Sequence, residues 1–222
     1  MPNREPAQNT LVALRARLRK ARLEMPDAER ERGGLLIRGR LFTWLNVARE
    51  KAAAEGRKLD TVAAYWPLEG EVDLRPLLRQ WVENGVKVCL PCVVAKDRPL
   101  EFRNWEPDGE MAAGRYGIPE PAGEACAPDV ILVPTLGYTA NADRLGYGGG
   151  YYDRTLAAQD AAGRHPVTIG IAWPHGKLPD DYLPAAHDMR LDAVLSSEGW
   201  LPRAPLDAGP GAGKPDWSST RI

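Results

Sequence analysis

Behind Asp129, Val130 to Val133 is an unbroken apolar run too short for a helix, and it is followed at Gly146 by the glycine-rich segment Gly146-Tyr-Gly-Gly-Gly150 and a helical stretch from about Tyr151 to Ala162. A strand apolar at consecutive positions is buried on both faces. Similar runs recur along the chain. Thr61 to Trp66 and Val86 to Leu90 read as strands with a helix from Leu74 to Glu83 between them. Val167 to Ala172 and Asp192 to Leu195 add two more. Strands alternating with helices predict an α/β fold in which a mostly parallel sheet carries helices on both faces. No internal repeat is present.

The regions flanking this core read differently. From Thr10 to Met25, Leu11, Leu14, Leu18, Ala21 and Met25 recur at helical spacing and leave Arg15, Arg19 and Arg22 on a neighbouring stripe. Pro26 stops that helix, and Asp27 opens a second one through Leu35, Leu36, Leu41, Phe42 and Leu45 to about Glu55. The two predict an N-terminal helical hairpin. Leu100 to Arg103 reads as a short extended piece, followed by a Pro/Gly-rich loop from Pro107 to Pro128. Glycines and prolines dominate from Arg203 to Ile222 with almost nothing apolar, which predicts disorder there. The expected division is one domain over residues 1–200 and a disordered tail over 201–222 in a chain of 222 residues.

Charge excludes one class of partner. With 29 Lys and Arg against 30 Asp and Glu, no global attraction to nucleic acid is expected. The imbalance of ten basic to five acidic residues from Arg4 to Arg40 is local, and reads as a solvated helix face without aromatics for base stacking. No apolar run is long enough to span a bilayer, and the first ten residues carry no signal-peptide core, so a cytoplasmic location is expected. Cys89, Cys92 and Cys126 are an odd number without a second Cys pair, which reads as core thiols rather than disulfides or a zinc site.

The chemistry concentrates between Val133 and Arg154. Glycines let the backbone approach an anion, the amides opening a helix point toward it, and Arg144 adds a planar fork for phosphate oxygens. The same glycines read alone as a tight turn, and they match neither the Walker nor the Rossmann spacing. Gly209 to Lys214 imitates a Walker loop but has no strand before it and Pro215 behind it. Asp153 and Asp188 are hard oxygen donors suited to Mg²⁺, which keeps most of its waters; alternatively Asp153 is a first-turn helix charge and Asp188 a turn residue. Glu71 lies just beyond the first strand, where open α/β sheets bind ligands, and can accept from the amidine-like edge of a heterocycle. Trp66 offers a stacking face or a core side chain. His165, His175 and His187 form no catalytic pattern.

Arg144-Leu-Gly-Tyr-Gly-Gly-Gly-Tyr-Tyr-Asp-Arg154, with Leu132-Val-Pro-Thr-Leu-Gly137 before it, resembles the signature of the 5-formyltetrahydrofolate cyclo-ligase family, the methenyltetrahydrofolate synthetases. Leu14-Arg15 followed by Arg22, Glu71-Val72, Gly114 to Pro121 and His187 to Asp192 extend the likeness from about Leu11 to Gly199. The resemblance implies a three-layer α/β/α domain of the kind shared with sugar-phosphate isomerases and CoA transferases. It also implies a monomer that uses ATP and Mg²⁺ to cyclise 5-formyltetrahydrofolate, free or polyglutamylated, to 5,10-methenyltetrahydrofolate with release of ADP and phosphate. By the same carry-over Arg144 and Tyr152 are catalytic. Nucleotide contacts fall to Arg15, Arg144, Leu145, Gly146, Tyr147, Gly148, Gly149, Gly150, Tyr151 and Tyr152. Substrate contacts fall to Trp66, Glu71, Tyr147, Gly148, Gly149, Gly150 and Tyr151, and the metal to Asp153 and Asp188.

Two positions depart from the family pattern. Leu11 stands where many relatives have a lysine, so that phosphate contact is either missing or supplied by Lys20 or another residue, and Tyr138-Thr139 replaces a commoner Phe-Asp. Two rival readings remain open: a non-catalytic nucleotide- or RNA-binding descendant, and an isomerase or acyl transferase that turns over without ATP.

Overall fold

Residues 5–179 and 181–206 are described by a computed structural model of the chain. Helix α1 spans Glu5–Leu23 and α2 spans Asp27–Ala54. Pro26 sits at the N-cap of α2, where its missing N–H costs nothing, and Gly56 adopts φ +71° just past the end. Helix α3, Arg75–Glu83, buries Leu77, Leu78 and Trp81 on one stripe, and α4 spans Tyr151–Ala161.

The strands are β1 Thr61–Ala63, β2 Lys87–Cys92, β3 Glu101–Asn104, β4 Met111–Ala113, β5 Pro119–Pro121, β6 Val130–Pro134, β7 Gly137–Tyr138, β8 Arg144–Leu145, β9 Val167–Ile171, β10 Ala193–Ser196 and β11 Gly199–Leu201. Seven form one sheet in the order β11-β10-β9-β6-β1-β2-β3. The five from β10 to β2 run parallel, and an antiparallel strand closes each edge.

Successive residues of these strands alternate between two cores. Val62, Val88, Leu90, Val130, Leu132 and Ile169 face α2 and α3, where Leu41, Trp44, Leu45, Leu78 and Trp81 meet them. Ala63, Cys89, Ile131, Val133 and Val194 face Leu156 of α4. Continuous apolar strands are thus explained by helices on both sides, the three-layer arrangement expected from the sequence. Truncating a side chain such as Trp81 in this core to alanine costs about 3–5 kcal/mol.

The connections carry the surprises. The Pro/Gly-rich loop holds the β4–β5 hairpin, its edge prolines sitting where no ladder donor is needed. Strands β7 and β8 form a second small hairpin beneath the glycine turn. Helices α1 and α2 follow each other through Pro26 but have different partners: α1 rests on Leu136, Leu145 and Leu178, and α2 on the sheet. Leu35 and Leu36, expected on the buried face of α2, are exposed beside Trp200, Ala204 and Leu206. Leu201 to Leu206, assigned above to the disordered tail, instead continue β11 and pack Ala204 and Leu206 against the core because they are the last apolar side chains before the glycines. The rest of that tail, 207–222, lies outside the described residues. Cys89 and Cys92 are buried thiols and Cys126 is half-buried, all unbridged. Among the described residues no helix is long and apolar enough to cross a membrane.

Candidate active site

Counting only the parallel strands, β2-β1-β6-β9-β10 is the order 2-1-3-4-5, in which successive strands are added in opposite directions on either side of the β1–β6 junction. Crossover connections leave these two strands on opposite sides and open a crevice at their carboxyl ends, where doubly wound sheets bind ligands. A cleft of about 290 Å³ lies there. Tyr65 and Trp66 enter it from the end of β1 and Pro134 from the end of β6. Every site residue singled out from the sequence lines this one cleft: Arg15, Trp66, Glu71, Arg144, Leu145, Gly146 to Tyr152, Asp153 and Asp188.

The glycine turn forms one wall. Gly148 has φ +93° and Gly150, at the N-cap of α4, has φ +65°, conformations that side chains resist. No side chain caps α4, so the amides of its first turn keep no capping partner. Arg15 donates from Nε to the Gly146 carbonyl at 3.0 Å, and its guanidinium lies 3.6 Å from where a Cβ on Gly148 would stand. Arg144 is buried and donates from Nη2 to Asp153 Oδ1 at 2.6 Å. Asp153 Oδ1 also accepts from the Met189 amide at 3.2 Å, so both contacts fall on one oxygen and Oδ2 takes neither. Asp188 accepts from the Ala185 amide through Oδ2, and its Oδ1 lies 3.7 Å from His187 Nε2.

Glu71 forms the opposite wall. Its carboxylate is buried, takes the Leu68 amide on Oε2 at 2.9 Å, and accepts the Tyr147 hydroxyl on Oε1. Arg22, equally buried, lies 3.8 Å from Glu71 Oε1, donates to the Tyr147 hydroxyl, and donates to the Thr135 carbonyl at 2.8 Å. Burial, reinforced by the negative charge of Glu71, holds the Tyr147 and Tyr152 hydroxyls far above the ordinary tyrosine range, so both stay protonated donors. Trp66 is stacked 5.5 Å beneath the guanidinium of Arg75 and packs partly against the main core.

The arginine stripe of α1 is only partly a solvated face. Arg15 lines the cleft and Arg22 is buried behind it against Tyr147 and Thr135, while Arg19 stays exposed with its guanidinium 5.2 Å over the Tyr147 ring. Lys20 does not replace the lysine absent at Leu11, since it is exposed and pairs with Glu24 at 3.6 Å. Leu11 itself packs on the Leu18 cluster. Sequence reasoning noted Arg22 but gave it no role in the site, although its place two turns along the Arg15 face was the signal. It also missed Tyr116, on the β4–β5 hairpin, whose hydroxyl meets that of Tyr151 at 2.6 Å across the cleft mouth.

The residues present fit a polyphosphate and a divalent cation. Arg144 Nε and the Tyr152 hydroxyl are buried beside the glycine turn without a hydrogen-bond partner among the described residues, as donors awaiting an anion would be. Two aspartates on one cleft suit Mg²⁺, which takes one or two carboxylates and keeps its waters.

Fold and cleft place the chain among doubly wound α/β proteins whose ligand crevice lies at a topological switch point. A family model described as the 5-formyltetrahydrofolate cyclo-ligase family matches residues 7–197, and the chain belongs to that family. Among similar proteins, 5-formyltetrahydrofolate cyclo-ligase of Mycolicibacterium smegmatis is 34% identical over 197 residues, covering 82% of this chain and 91% of the relative. The Escherichia coli K12 protein of the same description is 32% identical over 148 residues, 63% of this chain and 72% of its own. The structure of Aquifex aeolicus 5,10-methenyltetrahydrofolate synthetase matches with a TM-score of 0.66 at 28% identity, covering 86% of this chain and 91% of that one.

Proposed function

We propose that this chain is an ATP- and Mg²⁺-dependent ligase that converts 5-formyltetrahydrofolate to 5,10-methenyltetrahydrofolate with release of ADP and phosphate. The observation that carries the reading is the shared cleft: a cationic glycine turn on one wall and the Glu71 carboxylate with the Trp66 ring on the other.

The chemical obstacle is the formyl oxygen, which leaves too poorly for the neighbouring N10 to expel it. Bound ATP with Mg²⁺ supplies the phosphoryl group that makes this oxygen a good leaving group. The protein's part is positioning and neutralisation, the two requirements of phosphoryl transfer. Arg15 and Arg144 are suited to hold phosphate oxygens, and the ion pair with Asp153 fixes the Arg144 fork in one orientation. Asp153, through its remaining oxygen, and Asp188 would hold the cation. Glu71 accepts N–H donors of the pterin edge while Trp66 stacks on its face. Tyr152, held protonated, donates its hydroxyl where negative charge develops. Residues 1–200 acting as one unit, as a monomer in the cytoplasm, on free or polyglutamylated substrate, belong to the same proposal.

The test is to follow the absorbance of the methenyl product with pure full-length protein, with and without ATP and Mg²⁺. ATP-dependent formation of product is expected. Its complete absence, or product formed at the same rate without ATP, rejects the reading.

A further inference from the structure

Tyr147 belongs to the glycine turn by sequence but to the opposite wall by contact. It stands between Gly146 and Gly148, and its hydroxyl reaches the Glu71 carboxylate. The direction of each proton follows from the partners. A guanidinium only donates, so the Tyr147 oxygen accepts from Arg22 Nη1 and its own proton goes to Glu71 Oε1. Arg22 is anchored in turn to the Thr135 carbonyl at the end of β6. A carboxylate offers about four acceptor positions, and Glu71 uses one for Tyr147 and one for the Leu68 amide, leaving the others for a ligand.

Helix α1 is therefore fastened to the glycine turn twice, by Arg15 on the Gly146 carbonyl and by Arg22 on the Tyr147 hydroxyl. A shift of the turn around an anion displaces the Tyr147 hydroxyl, whose side-chain hydrogen bonds among the described residues are those with Arg22 and Glu71. With the Leu68 amide on the other oxygen, that hydroxyl orients the Glu71 carboxylate.

We propose that Arg22 and Tyr147 form a latch through which the phosphate-binding turn positions Glu71, so that the nucleotide and the folate each tighten the other's binding. Tyr147 and Arg22 are positioning residues in this account, acting through Glu71 rather than on the reacting atoms. The inference rests on the function proposed above, with Glu71 as the heterocycle acceptor. The phenylalanine variant is the sharp probe: it keeps the ring beneath Arg19 and Arg22, 5.2 and 5.7 Å from their guanidinium carbons, and removes only the hydroxyl.

The experiment is a binding cycle on the full-length protein, with a non-hydrolysable ATP analogue plus Mg²⁺ and 5-formyltetrahydrofolate titrated singly and together by calorimetry. In the wild type each ligand should lower the dissociation constant of the other by about fivefold or more, the ordinary range of coupling. In Tyr147→Phe that factor should fall below about twofold, whatever the change in each ligand's affinity measured alone. Arg22→Lys, which keeps the charge but loses the fork, should reduce the factor in part. Equal coupling in Tyr147→Phe and wild type overturns the latch, as does a wild type that binds both ligands independently. A well-folded wild type that binds neither ligand overturns the proposed function and the latch together.

Discussion

The ion pair between Arg144 and Asp153 gives a prediction in which stability and ligand binding part company. Arg144 is buried, and the pair is 2.6 Å long with side-chain exposures of 4% and 16%. Asp153→Asn keeps the shape and still lets Oδ1 accept from the Met189 amide, so both contacts on Oδ1 survive while the negative charge is lost and Oδ2 gives way to a donor. Leaving one partner of a buried pair uncompensated costs about 3–5 kcal/mol, and the residual exposure of Asp153 points to the lower end. For a domain of this size about 3 kcal/mol lowers Tm by about 6–12 °C. Scanning calorimetry without ligand should show this loss. The double variant Arg144→Met with Asp153→Asn should recover part of it, because no unpaired charge is then buried. A nucleotide analogue with Mg²⁺ at about 100 times its dissociation constant should stabilise the wild type by about 2.7 kcal/mol. The single variant should gain far less at the same concentrations, having lost a cation ligand. A Tm within about 2 °C of wild type for Asp153→Asn would refute the claim that this carboxylate neutralises a buried guanidinium, since the loss worked out above is several times larger.

Other perturbations reach different parts of the cleft. Arg15→Gln should raise the KM for ATP by about 10–100-fold, the worth of one charged hydrogen bond, with a smaller effect on the KM for folate in initial-rate assays. Gly148→Ala, at φ +93° and against the Arg15 guanidinium, should lose about 1–2 kcal/mol of stability and most of its kcat/KM. Gly163→Ala, at φ +68° with nothing within 4 Å, should show a comparable stability loss and full activity; equal kinetics for the two would remove the glycine turn from the site. Tyr65, Tyr147 and Tyr152 all have pKa values raised by burial, so the fold holds their protons more tightly than the unfolded chain does. Their contribution is complete below about pH 10 and is lost above it, at up to about 1.4 kcal/mol per pH unit for each. Cys92, pushed up to about 11 by burial, begins the decline nearer its ordinary value. Urea midpoints should accordingly hold steady near neutrality and drop in alkali, less steeply in Tyr147→Phe.

What the sequence made legible was whatever repeats at a fixed spacing. The apolar runs of β1, β2, β6 and β9 read as strands because burial on both faces leaves no polar position to confuse the pattern. The glycines read as a turn of unusual backbone, and Gly148 and Gly150 do adopt the positive φ that other side chains resist. The hairpins were hidden for the opposite reason. Met111–Ala113 pairs with Pro119–Pro121, a strand two-thirds proline, and propensity argues against such a pairing until the chain on either side fixes it. Arg22 was hidden by its charge. On a helix, a guanidinium in line with Arg15 and Arg19 reads as solvent-facing unless a buried carboxylate stands opposite, and Glu71 is supplied 49 residues later by the loop after β1. The switch point brings that loop to the glycine turn, and no local pattern encodes its position. Spacing along one element thus names the residues of each wall, while the order of strands decides which walls face each other. The contact between Tyr147 and Glu71 belongs to the second kind, and so it had to be found in three dimensions.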